Sequence, residues 1–387
     1  MKRLFLILVL VLAAVQGRAA EQTAVNFSMP AEWSEVTAAA KAQGKYIFLD
    51  GYTEWCSWCK VMDRETFSDE EVGALMNEKF VNVKMEMETG GGIDVAMKYR
   101  IHAFPQFLIF DQDGKLVYRI LGYVAKNEFI PELKKALDPA TQMSFAGITT
   151  KMDLPYPDFL RKTYVKGKEK EFADQETVDA WLDSYASVGD EISWTVMTRL
   201  SLSEKWENWI LAHAAELEKS FGMEYEQKRN DIVVGRLEAA VEAFDHDALE
   251  RSLELIPNTA PYKNRVAALY QIKLHSAKNE WEEAASVMAA AYATESISGT
   301  DVNEASWAMY ENCDDKAALT MAADVMKDVC NTAGWAEWDT YASLLFKIGD
   351  LDAAEKAASA AIKKGREEKQ NTSSTEELLE KIRTARK

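Results

Sequence analysis

Four cysteines occur in the chain, and two of them stand close together in Trp55-Cys56-Ser57-Trp58-Cys59-Lys60. A Cys-x-x-Cys pair can serve as half of a zinc site, as a structural disulfide or as a redox couple. Zinc needs a second pair of ligands. The other cysteines, Cys313 and Cys330, lie more than 250 residues on, and His102 is the only histidine before His213. Neither a metal nor any other cofactor is therefore expected. A structural disulfide stays open, but the placement of the pair favours redox chemistry. It follows an apolar run ending at Asp50 and opens a helical stretch. A thiolate at a helix N-terminus is stabilised by unpaired N–H groups and the helix dipole. Two intervening residues bring the second sulfur back within one turn. Cys56 is then expected to be exposed and nucleophilic, and Cys59 to be the resolving thiol.

The elements that would hold the pair alternate between helix and strand. Glu32 to Gln43 carries Trp33, Val36, Ala39 and Ala40 at helical spacing, and Gly44 stops it. Tyr46-Ile47-Phe48-Leu49 reads as a buried strand. Ser68 with Glu71 predicts a capping box for a helix ending at Lys79. Phe80 to Met85 predicts the next strand. Gly90-Gly91-Gly92 reads as a turn before a short helix from Asp94 to Tyr99; it lacks the Lys and Ser/Thr of a phosphate-binding loop. Phe107 to Phe110 and Leu116 to Leu121 read as strands, with a hairpin turn at Asp111-Gln112-Asp113-Gly114. Asn127 to Leu137 closes the series as an amphipathic helix. The alternation implies an α/β sandwich.

Beyond Pro139 the pattern changes. Pro155, Pro157 and the charge run from Lys166 to Glu171 mark an irregular region. From about Gln175 onward there is no convincing strand signal, and no proline occurs from Tyr262 to Lys387. Ile210, Ala214, Leu217 and Phe221 predict one helix face. Ala248, Ala284, Ala317 and Ala353 follow polar turns at spacings of 36, 33 and 36 residues, each beginning the second helix of a pair. Cys313 and Cys330 are expected at opposite ends of neighbouring helices, unpaired and mostly buried. Eight of the eleven tryptophans lie in this half. Core packing accounts for them, with a protein-binding groove as the alternative use of some.

Residues from about 31 to 137 resemble a thioredoxin-fold domain. They are most similar to exported bacterial thioredoxin-like proteins whose active site reads Trp-Cys-x-Trp-Cys-Lys. The resemblance implies three things. Asp50 matches the family's buried acid, which has a raised pKa and relays a proton to or from Cys59. Ala103-Phe104-Pro105-Gln106 matches the loop whose cis-proline faces the cysteines. Trp55, Trp58, Phe104 and Pro105 would contact substrate, and Gly122 matches a small residue after the last strand. Two departures stand out: Gln106 replaces a common Thr, and Ser57-Trp58 differs from the Gly-Pro of thioredoxin and the Pro-His of the periplasmic oxidase. Tyr341 to Gly365 resembles a tetratricopeptide repeat. The expected fold class is thus an α/β thioredoxin fold followed by an all-α helical-repeat region.

Residues 1–20 read as a signal peptide. Lys2 and Arg3 precede an apolar run from Leu4 to Val15, too short to span a bilayer, and Gly17-Arg18-Ala19 offers a cleavage site. The expected domains are therefore 1–20, 21–140 and 141–387. The formal charge is −18, and loss of the three leader cations leaves 42 basic against 63 acidic residues, or −21. Such a surface disfavours nucleic acid and anionic membranes as partners. The function expected is an exported, periplasmic thiol–disulfide oxidoreductase acting as a reductase on protein substrates. It would have a redox partner protein, and its helical half would bind protein. The alternative is a non-catalytic adaptor on a thioredoxin-fold scaffold.

Overall fold

A computed structural model describes residues 24–30, 32–332 and 334–387. The leader expected over residues 1–20 lies outside them. Nineteen α-helices and four strands are found among the described residues, and none of those helices is long and apolar enough to cross a membrane.

The first elements are α1 (Trp33–Gln43), β1 (Tyr46–Tyr52), α2 (Ser57–Glu65), α3 (Glu70–Lys79), β2 (Phe80–Glu86), α4 (Gly90–Lys98), β3 (Gln106–Phe110), β4 (Leu116–Leu121) and α5 (Lys126–Leu137). The sheet runs β2-β1-β3-β4. β1 pairs parallel to β2 and antiparallel to β3, and β3 pairs antiparallel to β4. Central strands covered on both faces are mostly apolar, and β3 is buried at all five positions. Phe48, Phe67, Phe107 and Phe129 are fully buried and interlock. Phe48 stacks on Phe107 with centroids 5.5 Å apart, and Phe67 and Phe129 meet them edge-on.

Two expectations in this region need correction. Asp69, not Ser68, caps α3. The Asp69 carboxylate accepts from the amides of Glu71 and Val72 at 3.0 and 3.2 Å, while Ser68 donates to the Arg64 carbonyl. The three glycines are not a turn but the first turn of α4. Close approach to β2 explains Gly92, where a Cβ would sit 1.8 Å from the Glu86 carbonyl oxygen.

The chain divides into two compact units, one ending at Lys228 and one spanning Arg229–Lys387. In the first, α6 (Asp158–Arg161), a 3₁₀ turn (Gly167–Glu169), α7 (Gln175–Ser184), α8 (Glu191–Arg199), α9 (Glu204–Ala212) and α10 (Ala214–Phe221) follow the sheet. The division falls within α11 (Met223–Glu242). The single helix face expected from Ile210 to Phe221 is broken at His213, which leaves helical backbone. Its ring stacks on Trp209 at 4.0 Å and its Nδ1 lies 2.8 Å from the Trp209 carbonyl.

Buried charge ties these helices to the sheet. Lys98, fully buried, meets Glu191 of α8 at 2.7 Å. The other Glu191 oxygen accepts from the Thr149 amide and hydroxyl at 2.9 and 2.8 Å. Glu224 accepts from Arg100, Arg119 and Trp194 at 2.7, 2.9 and 3.2 Å. Burial works to raise the Glu224 pKa, but the two guanidinium groups outweigh it and hold the carboxylate below its ordinary value.

The second unit contains α12 (His246–Glu254), α13 (Lys263–Ala277), α14 (Trp281–Ala293), α15 (Gly299–Asn312), α16 (Lys316–Val329), α17 (Trp335–Ile348), α18 (Leu351–Glu367) and α19 (Ser373–Ala385). α12, α14, α16 and α18 begin at residues 246, 281, 316 and 351, a 35-residue period. Asp245, Asp315 and Asp350 cap three of them through side-chain carboxylates. Ala284, Ala318, Ala354 and Ala358 are fully buried, so helices approach closely where the sequence supplies small residues. Cys313 and Cys330 are buried free thiols at the C-caps of α15 and α16, as expected.

Removing one partner from a buried ion pair leaves an uncompensated charge. Glu191→Ala is therefore expected to destabilise the protein by about 3 kcal/mol, measured by urea unfolding at pH 7. Pairing it with Lys98→Met should recover much of the loss, because the second change removes the stranded ammonium. A single variant as stable as the native protein would show that Lys98 does not depend on Glu191.

Candidate active site

β1 delivers Asp50 to the base of the site and runs on through Gly51 and Tyr52 to the turn before α2. The Cys56 amide donates to the Thr53 carbonyl at 3.1 Å, which sets the turn. Cys56 is the N-cap of α2, and its sulfur accepts from the Cys59 amide at 3.0 Å. Cys56 and Cys59 form a disulfide with Cα atoms 5.4 Å apart. The helix thus places its N-terminal donors at the reacting sulfur, where negative charge would develop. One expectation changes: Cys56 is only 3% exposed, as is Cys59. Its sulfur is turned back over the helix end by the bond to Cys59 and the amide it accepts.

Asp50 is 1% exposed. Parallel pairing of β1 with β2 sets it directly beside Lys84. The Lys84 ammonium lies 3.2 Å from Asp50 Oδ2 and also pairs with Asp63 of α2. Asp50 Oδ1 is buried without a hydrogen-bond partner among the described residues. Burial raises the Asp50 pKa, Lys84 lowers it, Asp63 raises it, and the result is about 6. Burial opposes the Lys84 charge, but Asp50 and Asp63 outweigh it and hold that pKa above its ordinary value. The ammonium also sits over the rings of Tyr52 and Phe27, at 5.2 and 5.6 Å. The site therefore contains one cation shared by two acids, one of them poised to exchange a proton near neutrality.

The rim is aromatic. Trp55 and Trp58 are 62% and 56% exposed. Trp55 meets Phe104 edge-on at 5.8 Å, and Trp58 lies 5.5 Å from Tyr123. The Phe104–Pro105 bond is cis. The Pro105 carbonyl accepts from the Gly122 amide at 2.9 Å, and Gly122 takes a positive φ of 82°. Gly51 keeps the strands close here, since a Cβ would meet the Gln106 carbonyl at 3.2 Å. The fold thus joins Cys56 to Cys59 and sets Trp55 against the proline loop, with Asp50 at the end of the same strand.

Sequence reasoning missed Lys84, Asp63 and Glu88. Glu88 accepts from the Trp55 indole at 2.8 Å. A lysine among the alternating apolar residues of β2, and an acid four residues after Cys59 on the same helix face, were the available signals. No group of three or more His, Cys, Asp or Glu among the described residues could hold a metal ion.

The Asp50 environment has a consequence for stability. The folded protein holds the Asp50 proton up to about pH 6, whereas the unfolded chain releases it near the ordinary 3.8. Stability therefore falls as pH rises from about 4 through about 6. Asp50→Asn removes that loss. The variant is expected to resist urea better than the native protein by about 2 kcal/mol at pH 8 and to show no advantage at pH 4. Equal stability at pH 8 would mean that Asp50 ionises without penalty.

Comparison with known proteins gives a match on this region. Residues 33–137 match the model of a thioredoxin-like domain. The thiol:disulfide interchange protein DsbD of Ralstonia nicotianae is 33% identical over 112 residues, which cover 28% of this chain and 18% of that protein. Its counterpart in Pseudomonas fluorescens is 30% identical over 104 residues, covering 26% and 18%. The chain thus spans less than a fifth of the length of these relatives. A solved structure described as a candidate disulphide-isomerase from Bacteroides thetaiotaomicron is 32% identical, with a TM-score of 0.29; the match covers 31% of this chain and 98% of that one. The family match falls on the stretch that carries both the four-stranded sheet and the disulfide, and residues 33–137 are a thioredoxin-like domain.

Proposed function

We propose that the protein is an exported thiol–disulfide oxidoreductase that reduces protein disulfides in the periplasm. The observation that carries this reading is the Cys56–Cys59 disulfide at the start of α2, with the buried Asp50 on the strand that leads into it. In the dithiol form, the Cys56 thiolate attacks one sulfur of a substrate disulfide. A mixed disulfide forms, and the first substrate thiolate leaves. The Cys59 thiolate then attacks the Cys56 sulfur, the mixed disulfide breaks, and the second substrate thiolate leaves. Two electrons pass to the substrate, and Cys56–Cys59 ends oxidised. Asp50 accepts the Cys59 proton as that thiol becomes a nucleophile, a role suited to an acid with a pKa of about 6. Trp55, Trp58, Phe104 and Pro105 receive the substrate chain.

A second dithiol protein must return the electrons. The similarity to the thiol:disulfide interchange proteins supports a partner of that chemistry. The leader at residues 1–20 directs export, residues 21–140 carry the redox work, and residues 141–387 hold protein partners. The 35-residue helix period supports a tetratricopeptide-like arrangement for the last of these.

The test is a redox titration of the mature protein in glutathione buffers, with thiols alkylated and counted by mass spectrometry. One two-electron transition is expected, near the thioredoxin value of about −270 mV. Alkylation after unfolding should count four thiols in the reduced form and two in the oxidised form, because Cys313 and Cys330 are free. Cys56→Ser should abolish insulin reduction, and Cys59→Ser should trap a mixed disulfide with substrate. A midpoint near about −120 mV would mark an oxidase instead. A pair that never cycles would leave a helical adaptor.

A further inference from the structure

The segment just after the thioredoxin-like domain reaches back to its active site. Residues 163–172 are fastened at both ends by Arg199 of α8. Its guanidinium donates to the Thr163 carbonyl and hydroxyl at 2.6 and 3.1 Å. It also lies 4.7 Å from the buried Tyr164 ring and 5.2 Å from the Phe172 ring. The Glu171 amide donates to the Lys162 carbonyl, and the Lys162 and Glu171 side chains pair at 2.7 Å. A segment held this way presents its other side chains from fixed backbone positions.

Two of those side chains are lysines that meet acids flanking the cysteines. Lys166 pairs with Glu54, two residues before Cys56. Lys170 lies 3.2 Å from Glu88 Oε1. Glu88 has a nearly buried side chain, 7% exposed, and its other oxygen accepts from the Trp55 indole at 2.8 Å. Trp55 in turn stands edge-on to Phe104 of the proline loop. One line of contacts therefore runs from Arg199 through the segment to Lys170, Glu88, Trp55 and Phe104.

We propose that residues 163–172 are a strap that tunes substrate recognition, with Lys170 as a positioning residue acting through Glu88 on the Trp55 indole. A nearly buried carboxylate needs its charge answered. With Lys170 present, Glu88 stays at the indole. Without it, Glu88 gains by turning toward water, and the indole loses its acceptor. The occupied N–H also settles the chemistry of the rim. Trp55 offers a partner only carbon surface beside Cys56, next to the Phe104 ring, and Phe172 on the strap is itself 57% exposed. The polypeptide favoured at this rim carries apolar side chains beside the cysteine that is attacked. The recognition part of the proposal rests on the redox reading above; the positioning part does not.

Two measurements separate them. The Trp55 indole N–H resonance is assigned by its loss in Trp55→Phe and then followed in Lys170→Met. It is expected to shift and to exchange faster with solvent, and Lys170→Arg is expected to restore it. An unmoved resonance overturns the proposal. With insulin as the disulfide substrate, Lys170→Met is expected to raise KM about fivefold, as suits an ion pair exposed on the lysine side only, and to raise it by more than kcat falls. Lys170→Arg should again restore it. A shifted indole with an unchanged KM overturns the recognition role. If the native protein reduces no insulin, the redox reading has failed, while the indole still decides the positioning. Lys170→Gln serves if Lys170→Met does not fold by circular dichroism.

Discussion

One cation shared by two acids governs the charge on the strand that leads to the disulfide. Lys84 pairs with both Asp50 and Asp63, and it lowers the Asp50 pKa that burial and Asp63 raise. Its position depends on the register of β1 against β2, which sets residue 50 opposite residue 84. A slip of one residue would turn Lys84 to the opposite face of the sheet. The register is held in turn by the apolar strands and by the segment before α1. There, the Lys84 amide donates to the Ser28 carbonyl at 2.9 Å, and Phe27 puts a ring beside the ammonium. Packing of Phe48, Phe67 and Phe107 thus has a chemical consequence. It fixes the spacing of the charges that decide when Asp50 holds a proton.

How much of this was legible in the sequence follows from the range of each interaction. The cysteine pair, Asp50 and Pro105 sit in local motifs and were found. The strands were found because apolar runs report burial directly. Lys84 was not singled out, because its meaning comes from a neighbouring strand that no spacing rule specifies. Glu88 and Lys170 are 82 residues apart and belong to different parts of the fold. The local errors have local causes. Ser68 and Asp69 are both good caps, and the carboxylate won. Three consecutive glycines read as a turn, yet Gly92 is required where α4 passes over the Glu86 carbonyl. The break at His213 depends on a ring stack with Trp209, which helical periodicity does not encode.

The compact unit that holds the redox site extends well past the thioredoxin-like domain, to Lys228. Apolar burial and charged contacts both extend it. Buried ion pairs are weak contributors to net stability, since desolvation offsets much of their attraction. They are strong contributors to uniqueness, because a misplaced partner strands a charge. Glu191 and Glu224 each take several donors from separate elements, so each fixes an orientation as well as a distance. α8 and the start of α11 are thereby held in place. That constancy is what allows residues 163–172 to meet the active-site rim at defined atoms.

The four cysteines show how the chain confines exchange to one pair. Cys56 is an N-cap, at the positive end of α2. Cys313 and Cys330 are C-caps, at the negative ends of α15 and α16. A helix dipole stabilises a thiolate in the first position and opposes it in the second. Burial acts in the same direction, raising the Cys313 thiol and pushing the Cys330 thiol up to about 12. Thiol–disulfide exchange proceeds through the thiolate. Two thiols that stay protonated are poor nucleophiles for such exchange. The helical region can therefore carry cysteines in the same chain as a reactive pair with little tendency to exchange of their own.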